Sequence, residues 1–323
     1  MLKIRESTDI EECQLIWKSL WPEQSIFDLW EVRDCFHTSF NRPAHFLIAE
    51  DGSQIQGALA LSWIDEAQSY AAFPGETWQG KTWLEQNKIP AVSSEVRHEL
   101  LGCLPKPAHV RYLNPESIAD AHVIAEVDET GYIFFPEQYN YSFQAYLQQL
   151  SKKFRKNNAR EASRLETYGV HFRHDNIADV NHLFQMNMDA FGEYSYFISP
   201  PFLAAFENLI AWLLKNNMLR ITTVIIGDTI AAVDIGAVHG NRYTVLAGGT
   251  NPEFMGVAKL INFHHLEWAC SKQFKSVDFL CGDFGWKERF KLHPAPLYQI
   301  TALPADHHKK INEHAFAGSG CEF

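Results

Sequence analysis

Apolar and polar positions follow their clearest pattern between Leu219 and Phe290. Two apolar runs, LRITTVII and TIAAVDIGAV, flank Gly227-Asp228, a dipeptide suited to a two-residue hairpin, so antiparallel strands are predicted on either side of it. A third run, NRYTVLAG, extends the meander before the glycines and proline of GGTNPEFMGVA break it. Leu260, Phe263, Leu266, Cys270 and Phe274 then recur at helical steps, with Val257, Ile261 and Trp268 widening the stripe. That width predicts a helix buried over much of its circumference. A short apolar strand (SVDFLCG), a polar and aromatic turn (DFGWKERF) and an alternating run (LYQITAL) complete the order β-β-β, glycine loop, α, β, turn, β.

The first part of the chain reads β-α-α-β-β. Leu2 and Ile4 mark a short strand, Asp9 caps a helix carrying Ile10, Cys13, Trp17 and Leu20, and a second helix runs from about Ile26 to Phe36. HFLIAE and IQGALALSWI form a hairpin across Asp51-Gly52. The same order returns later. Val170 and Phe172 suggest a strand, a helix starts near Asp179, and Ser199-Pro200 opens another with Phe202, Phe206, Leu209 and Leu213 facing its core. Two copies of one fold account for the repetition. Between them, Phe143, Tyr146, Leu147, Leu150 and Phe154 describe a helix that continues through KKFRKNNAR, where Lys156, Arg160 and Arg164 form a basic stripe or an ordinary solvated face.

Charge and cysteine usage narrow the classes. A net charge of −11 over 323 residues argues against broad binding to DNA or to an anionic membrane. The six cysteines lack the spacing of a disulfide framework or a zinc site, so no metal is expected. No apolar leader or spanning stretch stands out, and a cytoplasmic location is expected. The segment from 304 to 323, with His307-His308, is too small and glycine-rich to form a core.

A glycine-containing loop entering a helix suits a pyrophosphate, because unpaired N–H groups and the positive end of the helix dipole face outward. Gly248, Gly249, Gly256, Val257 and Ala258 are the candidates for such a cradle. Asp234, inside an otherwise apolar strand, is a candidate general base, with Asp283 and Glu193 as further carboxylates and Tyr243 as a candidate acid. A bend with a satisfied polar residue is the competing explanation of Asp234.

The glycine loop, and Asp278, Gly282-Asp283, Trp286-Lys287 and Arg289-Phe290 after it, resemble the acyltransferase domain of the GNAT superfamily of N-acetyltransferases, more narrowly its FemABX-related branch. The resemblance implies an α+β fold of two GNAT-like domains in tandem, each a mostly antiparallel twisted sheet flanked by helices. Residues 1–140 would form a degenerate N-terminal domain, 141–168 a linking helix, 169–303 the acyltransferase domain and 304–323 a short tail. It implies acyl transfer, chiefly acetyl, from acyl-CoA to an amine of a small molecule or peptide, or alternatively aminoacyl transfer from charged tRNA, which the acidic charge disfavours as a partner. By the same resemblance Lys287 faces the reaction centre and Arg155 meets anionic groups of the acceptor. Glu253 departs from the Q/R-x-x-G-x-G/A pattern of acetyl-CoA binders, which leaves room for another donor.

Gly75–Thr82 also matches the phosphate-binding pattern GxxxxGK[ST], with Lys81 and Thr82 in its fixed positions. Its surroundings oppose a nucleotide-binding role: the preceding strand is weak and Pro90 leaves no room for a long helix. The same loop gathers Trp78, Lys81, Trp83 and Glu85, flat aromatic walls and mixed charges that suit a polar acceptor or else plug a domain interface. In the resembled family the first domain helps to hold the acceptor.

Overall fold

The predicted hairpins form where left-handed turn residues allow them. Gly227 takes φ +60° at the first position of a two-residue turn, and Gly240 and Asn241 take φ +54° and +59° in the next one. The structure, a computed structural model, describes residues 1–119, 124–282 and 285–304.

In chain order the elements are β1 (Leu2–Ser7), α1 (Ile10–Leu20), α2 (Trp30–Phe40), β2 (Ala44–Asp51), β3 (Gln54–Ile64), β4 (Ser69–Ala72), α3 (Ser94–Gly102), β5 (Ala108–Leu113), α4 (Pro115–Ile118) and β6 (Ala125–Phe134). They continue with α5 (Phe143–Gln149), α6 (Lys152–Glu166), β7 (Val170–His174), α7 (Val180–Phe191), α8 (Pro200–Lys215), β8 (Leu219–Ile226), β9 (Thr229–His239), β10 (Arg242–Thr250), α9 (Val257–Lys272), β11 (Ser276–Asp278) and β12 (His293–Ala302).

These elements build two compact units that are interleaved in sequence. One comprises Met1–Trp21, Asn41–Asp128 and the chain from Leu297; the other comprises Pro22–Phe40 and Glu129–Pro296. The chain thus departs from a consecutive division at 140 and 168. The helix expected near 26–36 forms as α2 and belongs to the second unit, where Phe36 meets Phe202 of α8 at 5.8 Å between ring centroids. Its apolar stripe is buried there because α8 offers a long apolar face. The helix expected across 141–168 is broken into α5 and α6, with Ser151 capping α6 by accepting from Phe154 N at 3.2 Å.

In the first unit the strands neighbour one another in the order β1-β2-β3-β4-β5-β12. Pairing is antiparallel apart from the β4–β5 step at Tyr70 and Ala108. Leu47, Leu59, Leu61, Leu100, Val110 and Ile300 meet in its core. Trp17 of α1 packs on the other side against Phe46 and Phe73.

The second unit has the order β6-β11-β10-β9-β8-β7. Only β10 and β11 run parallel, joined by α9. Strand alternation sends Val224, Ile226 and Ala232 toward α9 and α6, which contribute Val257, Ile261 and Leu165. The opposite face packs against α7: a side chain on Gly249 would meet Leu183 O and Met186 Cβ at 2.8 Å each.

Candidate active site

Cross-strand register places Asp234 of β9 opposite Thr222 of β8 and Gly248 of β10, on the face covered by α9. Asp234 Oδ2 lies 2.9 Å from Nε2 of His265, a residue of α9 with no exposed surface. A Cβ built on Gly248 would overlap Asp234 Oδ1, so glycine at this position is what admits the carboxylate. The Tyr243 ring stands 5.4 Å from that of His265, and burial pushes its phenol above the ordinary tyrosine range. The hydroxyls of Tyr243 and Thr222 and Nδ1 of His265 are buried without a hydrogen-bond partner among the described residues. A second histidine pair shares this face: Nε2 of His174 and Nε2 of His264 are 3.0 Å apart, and His264 stacks on Phe172.

Next to this cluster the sheet opens. β10 pairs with β11 only over Arg242–Thr244 and Ser276–Asp278, then runs on beside β9 to Thr250 through an irregularity between Val245 and Ala247. A parallel pair that parts at its carboxyl ends, with the connecting helix entering beside it, is the general location for a ligand in such sheets. Asn187 Nδ2 donates to Gly248 O at 3.3 Å, and Ser195 Oγ donates to Asn187 Oδ1 at 2.8 Å, which ties the segment after α7 to this arm of the fork.

The expected phosphate cradle is reduced by what its glycines do. Gly248 and Gly249 lie within β10, one admitting Asp234 and the other packing on α7, so neither belongs to a loop. Gly256 does stand at the start of α9, in the left-handed region at φ +98°, followed by buried Val257 and exposed Ala258. Its open side is occupied by Glu161 of α6, whose Oε2 would lie 3.1 Å from a Cβ there. Lys259 Nζ pairs with the same Oε2 at 2.7 Å, and Arg164 donates to Met255 O at 2.5 Å. A carboxylate thus already faces the positive end of α9.

Lys287 occupies a different setting from the one expected of it. Its Nζ donates to three successive carbonyls, those of Phe279 at 2.9 Å, Leu280 at 2.6 Å and Cys281 at 2.8 Å. The residue is buried and ties down the chain leaving β11, where Leu280 takes φ +56°. Asp283 lies outside the described residues. Arg155 is exposed on α6 and Glu193 is exposed after α7.

Trp78, Lys81, Trp83 and Glu85 lie together in the first unit. The nucleotide alternative is corrected by the loop that carries them. Trp78 and Lys81 exchange backbone N–H and carbonyl at 2.9 Å each way, and buried Glu76 accepts from Trp83 N at 3.1 Å, Leu84 N at 2.8 Å and the Thr82 hydroxyl. Those amides cannot cradle phosphate while a carboxylate holds them. Thr82 opens no helix either, since the next one begins at Ser94.

His265 and Glu161 escape a reading of the sequence because each sits in an ordinary helical pattern. Polar interruption of an apolar strand signals Asp234, but no one-dimensional signal names its partner 31 positions away.

Residues 152–288 match the model of the acetyltransferase (GNAT) domain. No curated protein matches the chain in sequence. The crystal structure of FemX has a TM-score of 0.59 at 9% identity, covering 96% of this chain and 100% of that one. L-PGS from Bacillus licheniformis gives 0.55 at 12%, covering 98% and 100%. A conserved protein of unknown function from Bacteroides thetaiotaomicron gives 0.55 at 11%, covering 94% and 100%. At such identities the likeness is one of fold. Residues 152–288 form a GNAT-type acetyltransferase domain, and the protein is an acyltransferase. Its fold is α+β and GNAT-like, similar to that of FemX.

Among the described residues no group of three or more His, Cys, Asp or Glu is placed to hold a metal ion, and no helix is long and apolar enough to cross a membrane.

Proposed function

We propose that the protein transfers an acyl group, chiefly acetyl, from acyl-CoA to an amine of a small molecule or peptide. The observation that carries this reading is the parallel β10–α9–β11 crossover whose strands part after Thr244 within the segment that matches an acetyltransferase domain. An acyl donor enters the fork with its thioester beside the β10 arm and its phosphates toward Gly256–Ala258, where Glu161 must give way. The ammonium of the acceptor loses a proton to Asp234, the carboxylate on that arm, and the neutral amine attacks the thioester carbon. The loop of Trp78, Lys81, Trp83 and Glu85 is assigned to the acceptor, as the FemABX resemblance implies. A location in the cytoplasm is part of the same proposal.

A second donor is favoured by one feature. Lys152, Lys153, Arg155, Lys156 and Arg160 are all exposed on α6, so this helix presents a basic face on an otherwise acidic chain. Local charge rather than net charge meets a polyanion, and an aminoacyl-tRNA donor is the alternative that the FemABX resemblance implies. The test pairs the donors: melting temperature and product formation are measured with acetyl-CoA, Mg-ATP and charged tRNA. Stabilisation and amide formation with acetyl-CoA are expected. Turnover with charged tRNA alone overturns the first reading in favour of the second.

A further inference from the structure

Asp234 is half of a buried pair whose other half has no part in the steps above. His265 contributes Nε2 to Asp234 Oδ2 at 2.9 Å, and its Nδ1 has no partner among the described residues. The tautomer with its proton on Nε2 donates to the carboxylate and leaves no buried N–H without an acceptor. Asp234 keeps a small exposure, 8% of its side chain, whereas His265 has none. Only the carboxylate can therefore meet a substrate.

The surroundings aim that carboxylate. Its other oxygen, Oδ1, fills the space that a side chain on Gly248 would take, on the arm of β10 that has left β11. A sheet–helix interface made for packing alone favours apolar residues, since polar groups without partners cost free energy there. Here Asp234, His265, Tyr243 and Thr222 gather in one layer, and three of their polar atoms have no hydrogen-bond partner among the described residues. Departures of this kind mark sites kept for chemistry.

We infer that His265 is a positioning residue for the transfer: its Nε2–H holds Asp234 Oδ2 and directs Oδ1 along the β10 edge at Gly248 to accept the proton of the amine. The assignment rests on acyl transfer being the reaction. The ammonium gives one proton to Asp234 Oδ1, the nitrogen lone pair forms the C–N bond and the thioester C–S bond breaks. The remaining surplus proton on nitrogen passes to the departing sulfur, and Asp234 returns its proton to water.

The experiment measures thiol release from acetyl-CoA, and amide formation from charged tRNA, with a panel of amines across pH. Asp234→Asn should lower kcat about a hundredfold or more. His265→Leu should lower kcat by at least about tenfold, move the acid limb of the kcat/KM profile and leave the donor KM within about twofold. His265→Gln retains a donor and should recover most of the loss. His265→Asn, too short to reach Oδ2, should behave like the leucine variant, and decides the matter if leucine does not fold. A lowered melting temperature with an unchanged kcat and pH profile makes His265 structural and overturns the inference. A parent with no turnover from either donor overturns acyl transfer itself, whereas an active parent matched by its His265→Asn variant overturns the positioning role alone.

Discussion

Gly248 and Lys287 show how a single position can be misjudged by residue type. The glycine was expected to make room for phosphate and instead makes room for the Asp234 carboxylate. Gly248→Ala should therefore destabilise the protein by about 1–3 kcal/mol through overpacking. Denaturant unfolding measures the loss, and a variant as stable as the parent contradicts the overlap. Lys287 was expected to present a charge to a ligand, and its Nζ donates to the carbonyls of Phe279, Leu280 and Cys281. Lys287→Met leaves buried carbonyls without a donor and should cost about 1–3 kcal/mol. Lys287→Arg should not restore it, because a planar fork cannot meet three carbonyls that converge on one nitrogen. Melting curves of the two variants, compared with their turnover, separate the tie from a role in the reaction. Asp234 was legible because a charge interrupts an apolar strand; His265 was not, because pairing across the sheet–helix interface has no spacing.

At the scale of elements, α6 covers the start of α9, the place proposed for the donor phosphates. Glu161 stands before Gly256 and the positive end of α9 and is partly exposed, as is its partner Lys259. A carboxylate there opposes an incoming phosphate more than the exposed ion pair stabilises the fold. Glu161→Gln should lower the Kd for acetyl-CoA severalfold with little change in melting temperature, as read by calorimetric titration. Weaker binding would mean that the pyrophosphate lies elsewhere. The loop from Gly75 to Thr82 teaches the converse lesson. Its fixed residues satisfy a phosphate-binding pattern, but that pattern needs a strand before it and a helix after it, and the buried Glu76 draws the amides of Trp83 and Leu84 inward. Mg-ATP should accordingly leave the melting temperature unchanged while acetyl-CoA at a hundred times its Kd stabilises by about 2.7 kcal/mol.

Across the whole molecule, the His174–His264 pair couples stability to pH. Burial, then the neighbouring His265 and His174, lowers the His264 pKa from 6.5 to about 4, and burial lowers that of His174 as well. The unfolded chain therefore takes up protons that the folded chain refuses, so stability should fall as pH drops from about 6.5 toward 4. His264→Gln should flatten that slope, as urea titrations across this range will show; an undiminished slope would place the acid sensitivity in other groups.

The sequence by itself determined the hairpins and the helices with a clear apolar stripe, because hydrophobic period and turn residues act over a few positions: Gly227-Asp228, Gly240-Asn241 and the apolar stripe of α9 all lie where that local logic puts them, whereas α3, β5, α4 and β6 carry no comparable pattern. It also pointed to the class, and an acetyltransferase domain matches residues 152–288. Tertiary structure decided which elements share a unit, sending α2 to α8 although its neighbours in sequence belong to the other unit. It decided, too, that Asp234 meets His265, that Glu161 covers Gly256 and that Lys287 faces its own backbone. Such contacts join residues far apart in the chain, and their energies depend on burial and direction, quantities that exist only once the sheet and helices have packed.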